Sequence, residues 1–122
     1  QAVALDGQGN VYVADTANHR IQKLSADGRP LLELGPDSKP SLPFTLPRGV
    51  AVDEQGAIFV ADTANNRIYR LTPAGEPIQD WGGSGSQVGQ FDAPYRIAVG
   101  IRGLLFVTDS GNGRVQRLGA GQ

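Results

Sequence analysis

Val60-Ala-Asp62-Thr-Ala-Asn65-Asn-Arg67-Ile68 is the phrase on which the fold turns, because the chain says it three times. It stands also as Val13-Ala-Asp15-Thr-Ala-Asn18-His-Arg20-Ile21 and as Val107-Thr-Asp109-Ser-Gly-Asn112-Gly-Arg114-Val115, each copy 47 residues from the next with no gap. Residues 3–28 laid on 50–75 match at 15 of 26 positions, and 50–75 laid on 97–122 match at 10, so the third copy has drifted most. A fixed period of this size in a chain of short alternating apolar runs predicts a stack of similar β units, each burying its faces only against its neighbours. Function is then to be sought where the copies differ.

Working outward through the second copy, Gly49-Val-Ala-Val-Asp53 reads as a short strand, Glu54-Gln-Gly56 as a turn, and Ala57-Ile-Phe-Val-Ala-Asp62 as a second strand rich in β-formers. Thr63-Ala-Asn65-Asn66 turns the chain into Arg67-Ile-Tyr-Arg-Leu71. Pro73-Ala-Gly75 turns it again, and Pro77-Ile-Gln-Asp-Trp81 makes a fourth strand. With 17 Gly and 8 Pro punctuating the chain, no stretch sustains a helical period. Val50, Val52, Ile58 and Val60 make the inner strands apolar on both faces, so both faces need cover, and radial stacking of such meanders supplies it. The predicted fold is therefore an all-β propeller segment of four-stranded antiparallel blades, with the first strand nearest the axis.

The phrase Asp-x-x-Asn-x-Arg-Ile/Val, together with its lead-in Phe44-Thr-Leu-Pro47-Arg-Gly-Val-Ala-Val-Asp53, Gly56 and Ile58-Phe-Val, resembles the NHL repeat over nearly the whole chain. That resemblance implies a six-bladed ring, of which this sequence supplies about two and a half blades: blade 1 over 1–35, blade 2 over 44–82, and blade 3 over 91–122 without its outermost strand. The expectation is a fragment of a longer protein, or a partial ring completed by further blades from the same or another chain. The resemblance also leans toward an extracytoplasmic setting, periplasmic or extracellular, in a bacterial-looking protein or assembly.

Composition removes several classes of function. Without cysteine there are neither disulfides nor thiolate metal sites. Eleven basic against 12 acidic residues leave a net charge of −1 and no global pull toward nucleic acid. Apolar runs such as Leu104-Leu105-Phe106-Val107 are far shorter than the roughly 20 residues of a membrane-spanning helix, so no insertion by this segment is expected.

The repeated polar residues have a structural explanation. Asp15, Asp62 and Asp109 end second strands, and Arg20, Arg67 and Arg114 open third strands across the hairpin, so each carboxylate and guanidinium should pair and lock the turn. Asn18, Asn65 and Asn112 are expected in the left-handed conformation that Asn tolerates. A catalytic acid is needed once per site, whereas a turn lock is needed once per blade; no catalytic residue, metal ligand set or cofactor is expected from these repeats. The third-strand pairs Arg20/Lys23, Arg67/Arg70 and Arg114/Arg117 could form a basic stripe, and the resemblance includes RNA-binding proteins. Asp27, Glu33, Glu76 and Asp80 beside them argue for local cancellation and against nucleic acid.

The turn between strands two and three and the linker between blades should open on one face, which by resemblance is the partner-binding face. Candidate binding residues there are the divergent ones: His19, Asn66 and the equivalent Gly113 in the turn, Arg48 and Tyr95 after the linker prolines, and Arg96 where copy two has Gly49. Drift on exposed loops is the competing explanation. Phe44 and Phe91 are expected to plug the space between blades. His19 is the only histidine, too few for the histidine-bound metal of the peptide-amidating lyases that these repeats also resemble. Asp6 and Asp53 could be likened to the acidic ligands of propeller lactonases, but an Asp opening a Gly-containing turn has an adequate role in the turn itself. The function expected is a non-catalytic scaffold for a protein or peptide. The alternatives are a lyase or lactonase whose site is shared with other blades, and an RNA-binding domain.

Overall fold

A computed structural model describes residues 2–38, 41–82, 85, 90–100 and 104–119. Three antiparallel sheets follow one another along the chain. The first is ordered β1 (Val3–Leu5), β2 (Val11–Asp15), β3 (Arg20–Leu24) and β4 (Pro30–Leu34). The second repeats the order with β5 (Gly49–Val52), β6 (Ile58–Asp62), β7 (Arg67–Leu71) and β8 (Pro77–Gly82). The third holds β9 (Pro94–Val99), β10 (Leu104–Asp109) and β11 (Arg114–Gly119), a three-stranded sheet among the described residues. Most of the Gly/Ser-rich stretch 82–89 and residues 120–122 lie outside the described residues.

Register is the same in each copy, Asp15 opposite Arg20, Asp62 opposite Arg67 and Asp109 opposite Arg114. Because side chains alternate across a strand, this register sends alternate residues to opposite faces of every sheet. Tyr12, Ala14, Ile21 and Leu34 from the first sheet meet Val50, Ile58, Val60 and Leu71 from the second in one buried cluster. Ala51, Phe59, Ala61 and Ile68 on the second sheet's other face meet Leu105, Val107 and Leu118 of the third. The middle sheet is thus covered on both sides, which is why all five residues of β6 are buried. Phe44 fills the first junction and Phe91 the second, at 2% and 0% exposure.

First strands lie side by side, and their approach is tight at Gly49. A Cβ there would run into the carbonyl oxygen of Tyr95 and stand 3.0 Å from Ala61 Cβ and 3.2 Å from Arg96 Cα. Glycine at 49 therefore sets how closely β9 can pack on β5 around the axis.

Candidate functional site

At the end of each blade where the second strand stops, a single turn of 3-10 helix carries the chain into the third strand: Thr16–Asn18, Thr63–Asn65 and Ser110–Asn112. The linker to the next first strand returns to the same end. Arg48 donates its backbone N–H to Ala61 O at 3.1 Å, Ala64 N–H donates to Thr45 O at 3.2 Å, and Gly111 N–H donates to Asp92 O at 2.7 Å. One face of the stack is therefore built from these turns and linkers.

Each repeated Asp organises its corner of that face. Asp109, with no exposed surface, accepts Asp92 N–H on Oδ1 at 2.7 Å, and on Oδ2 the Nδ2 of Asn112, the Nε of Arg114 and the Nε2 of Gln116 at 2.9, 2.8 and 3.1 Å. Burial pushes this carboxyl up, but those hydrogen bonds outweigh it and hold Asp109 below its ordinary range. Asp15 accepts Asn18 Nδ2 at 3.1 Å and Arg20 Nε at 2.8 Å, and the same two donors hold it low.

Copy two departs from this pattern. Asp62 is equally buried and accepts Thr45 N–H at 2.7 Å and Asn65 Nδ2 at 2.8 Å, while Arg67 reaches outward to Asp80 at 2.7 Å. The expected Asp62–Arg67 side-chain lock is not what the structure shows, although the two residues face each other in register. Tyr69, packed with its ring 5.6 Å from Phe44, stands where copy three has Gln116. Burial is the larger influence here, and Asp62 is pushed above its ordinary range.

A second expectation is corrected one residue along. The left-handed positions are His19, Asn66 and Gly113, at φ of 58°, 58° and 64°, and not Asn18, Asn65 and Asn112. The latter lie within the 3-10 turns, where their Nδ2 groups face the Asp carboxylate three residues back. Donation of an amide to a carboxylate suits that short spacing, and the reversal of the chain falls on the residue after it.

Two divergent turn residues proposed for binding are engaged in joining blades. His19 Nδ1 accepts the N–H of Leu46 at 3.0 Å, and Asn66 Oδ1 accepts the N–H of Ala93 at 2.8 Å. Leu46 and Ala93 are themselves left-handed non-glycine residues, at φ of 50° and 53°, so each clip fixes an unusual backbone in the next blade's lead-in. Beside them Thr16 Oγ1 donates to Pro47 O at 2.8 Å and Thr63 Oγ1 to Pro94 O at 2.7 Å. Sequence comparison could have found this bond, since residues 16 and 63 each precede their prolines by 31 positions.

Arg48, Tyr95 and Arg96 come together on the same face. The guanidinium carbons of Arg48 and Arg96 lie 5.6 and 5.2 Å from the centre of the Tyr95 ring. Arg48 and Tyr95 are half-buried and Arg96 is exposed. Neither arginine forms an ion pair among the described residues, whereas Arg20, Arg29, Arg67 and Arg114 all do.

The third-strand basic stripe is broken up, with Arg20 on Glu33 at 3.1 Å and Arg67 on Asp80 at 2.7 Å. On the opposite face, a hollow of about 200 Å³ lies between Asp6-Gly7-Gln8 and Asp53–Gly56, with Tyr12, Lys23 and Pro73. Its aspartates serve their turns: Asp6 accepts the N–H groups of Gln8 and Asn10, and Asp53 those of Gln55 and Ala57. Among the described residues no three His, Asp or Glu side chains cluster so as to hold a metal ion, and no helix is long and apolar enough to cross a membrane.

Known proteins place this architecture. The chain is similar to a streptogramin B lyase structure, with 20% identity and a TM-score of 0.67 over 99% of this chain and 40% of that one. It is similar also to a catalytically inactive virginiamycin B lyase from Staphylococcus aureus with quinupristin, at 17% identity and a TM-score of 0.69, covering 97% and 40%. Hydrazine synthase from Kuenenia stuttgartiensis matches at 11% identity and a TM-score of 0.64, covering 95% and 33%. The chain thus spans about 40% of the length of the lyases it resembles, and at these identities the likeness is one of fold. No curated protein matches it. The family model of the NHL repeat matches residues 1–24 and 44–69, the first and second copies of the phrase with their lead-ins and into their third strands. Residues 1–24 and 44–69 thus match NHL repeats, and with its sheets and register the chain has the fold of a β-propeller segment.

Proposed function

We propose that this segment is a non-catalytic interaction module, presenting the turn-and-linker face of its blades to a protein or peptide. The observation that carries the reading is the division of labour on that face. Asp15, Asp62, Asp109 and their Asn partners are spent on the turns, and His19 and Asn66 on joining blades. Arg48, Tyr95 and Arg96 have no such duty and are of residue types enriched in binding hot spots. Peptide-display selection against the chain tests it. Selected peptides should lose binding to Tyr95→Ala and keep it for Gln55→Ala on the opposite face. Peptides that depend on Gln55 and ignore Tyr95 would refute the reading.

A lyase or lactonase sharing its site with other blades makes a different prediction for the complete protein. A divalent ion bound only by the folded state would raise its melting temperature by linkage. Titration with Zn²⁺ and Ca²⁺ separates the two.

A further inference from the structure

We infer that Arg48, Tyr95 and Arg96 form a recognition site for an acidic peptide segment, a deepening that rests on the turn-and-linker face being the interaction surface. The argument begins with Gly49. By letting β9 close on β5, it brings the lead-in of blade 2 and the first strand of blade 3 together, so two cations from different blades share one aromatic ring. Two guanidinium groups held near one ring repel each other, and the ring's negative face compensates only in part. Nothing acidic among the described residues completes the balance: Asp92, the exposed acid of this linker, lies against Gly111, and no ion pair joins it to either arginine.

A carboxylate is the complementary group. Guanidinium presents paired N–H donors that match its two oxygens, and Tyr95 adds a flat surface for the adjoining aliphatic stem. A nucleic-acid backbone would need a continuous track of such cations. The turns on the same face offer His19, Asn66 and Gly113, two of them already engaged, and Arg20, Arg67 and Arg114 at the starts of the third strands are paired with acids. The charge pattern fits one or two carboxylates of a peptide better than a run of phosphates.

The test uses the full chain and three fluorescent probes: a short oligoglutamate, the matched oligoglutamine, and an oligouridylate of equal charge. Oligoglutamate should bind, weaken as salt rises, and bind about tenfold more weakly to Arg48→Gln or Arg96→Gln, as expected for loss of one charge-assisted contact. Arg48→Lys and Arg96→Lys should fall between, since lysine keeps the charge and loses the fork, and thermal melts confirm that each variant folds. Equal binding of oligoglutamate and oligoglutamine, or no loss in the Arg48→Gln/Arg96→Gln double variant, would overturn the proposal. Tighter binding of oligouridylate would overturn it in favour of nucleic acid. Display-selected peptides that need Tyr95 but are neutral and ignore both arginines would sink the acidic-peptide site while leaving the interaction face standing.

Discussion

Asp62 and Asp109 occupy equivalent places, yet the same substitution should affect them differently. Asp109→Asn replaces one oxygen that accepts hydrogen bonds with an amide, set against the N–H donors of Asp92, Arg114, Asn112 and Gln116. Arg114 is 30% exposed and also donates to Gln90 O, so the loss falls below that of a fully buried pair, at about 2–3 kcal/mol, still a large share of the roughly 5–15 kcal/mol that typically holds a domain folded. Asp62→Asn keeps an oxygen for Thr45 N–H, has no Arg67 partner to strand, and removes a charge that burial disfavours. Its net cost at neutral pH should be about 1 kcal/mol or less, the worth of the bond from Asn65. The pH dependences should also run in opposite directions. Asp109 is held below the ordinary 3.8, so its contribution is full above that value and is lost as pH falls through its folded-state value. Asp62 is held above 3.8; its burial penalty is fully present above its folded-state value and disappears as pH falls from there toward 3.8. Urea unfolding of the parent chain and both variants across the acidic range measures this directly. The gap to Asp109→Asn should narrow with acid, whereas the parent should gain on Asp62→Asn. Equal costs with parallel pH slopes would refute the assignment of different partners to the two carboxylates.

Further outcomes follow from the blade junctions. His19→Asn should keep the clip to Leu46, as Asn66 does to Ala93, and change stability by less than about 0.5 kcal/mol, while His19→Ala loses both acceptor and left-handed tolerance and costs about 1–2 kcal/mol by thermal melting. Gly49→Ala should force β9 off β5 and cost about 1–3 kcal/mol through overpacking, visible as a lower urea midpoint; an unchanged midpoint would mean the first strands are not so close. Val3 and Leu5 on the first sheet and Phe106 and Val115 on the third are exposed, Val3 to 62% and Val115 to 63%, so the 122-residue chain should self-associate in sedimentation as concentration rises. A compact monomer at every concentration would contradict that.

How much of this could be read from the chain itself follows from what the period encodes. Strand order and the Asp–Arg register are legible because they recur with the repeat and depend on alternation, and the burial of Phe44 and Phe91 because each recurs three residues before a linker proline. The left-handed residue falls one position after the repeated Asn, a shift composition does not reveal because Asn is favoured both there and as a side-chain donor. The partner of Arg67 was not legible either. Asp62 and Asp80 are both within reach, and the packing of Tyr69 on Phe44, a contact across 25 residues of sequence, accompanies the outward choice. The grouping of Arg48 with Arg96 on one ring needed the third dimension, because it arises from the closeness of two first strands and from no motif.

The most direct test of the account is chemical-shift mapping of the isotopically labelled chain with a display-selected peptide. The amides of Arg48, Tyr95 and Arg96 and the neighbouring turn at Asn65 and Asn66 should shift together. Shifts gathered instead around Asp6–Gly9 and Asp53–Gly56, on the other face, would contradict it.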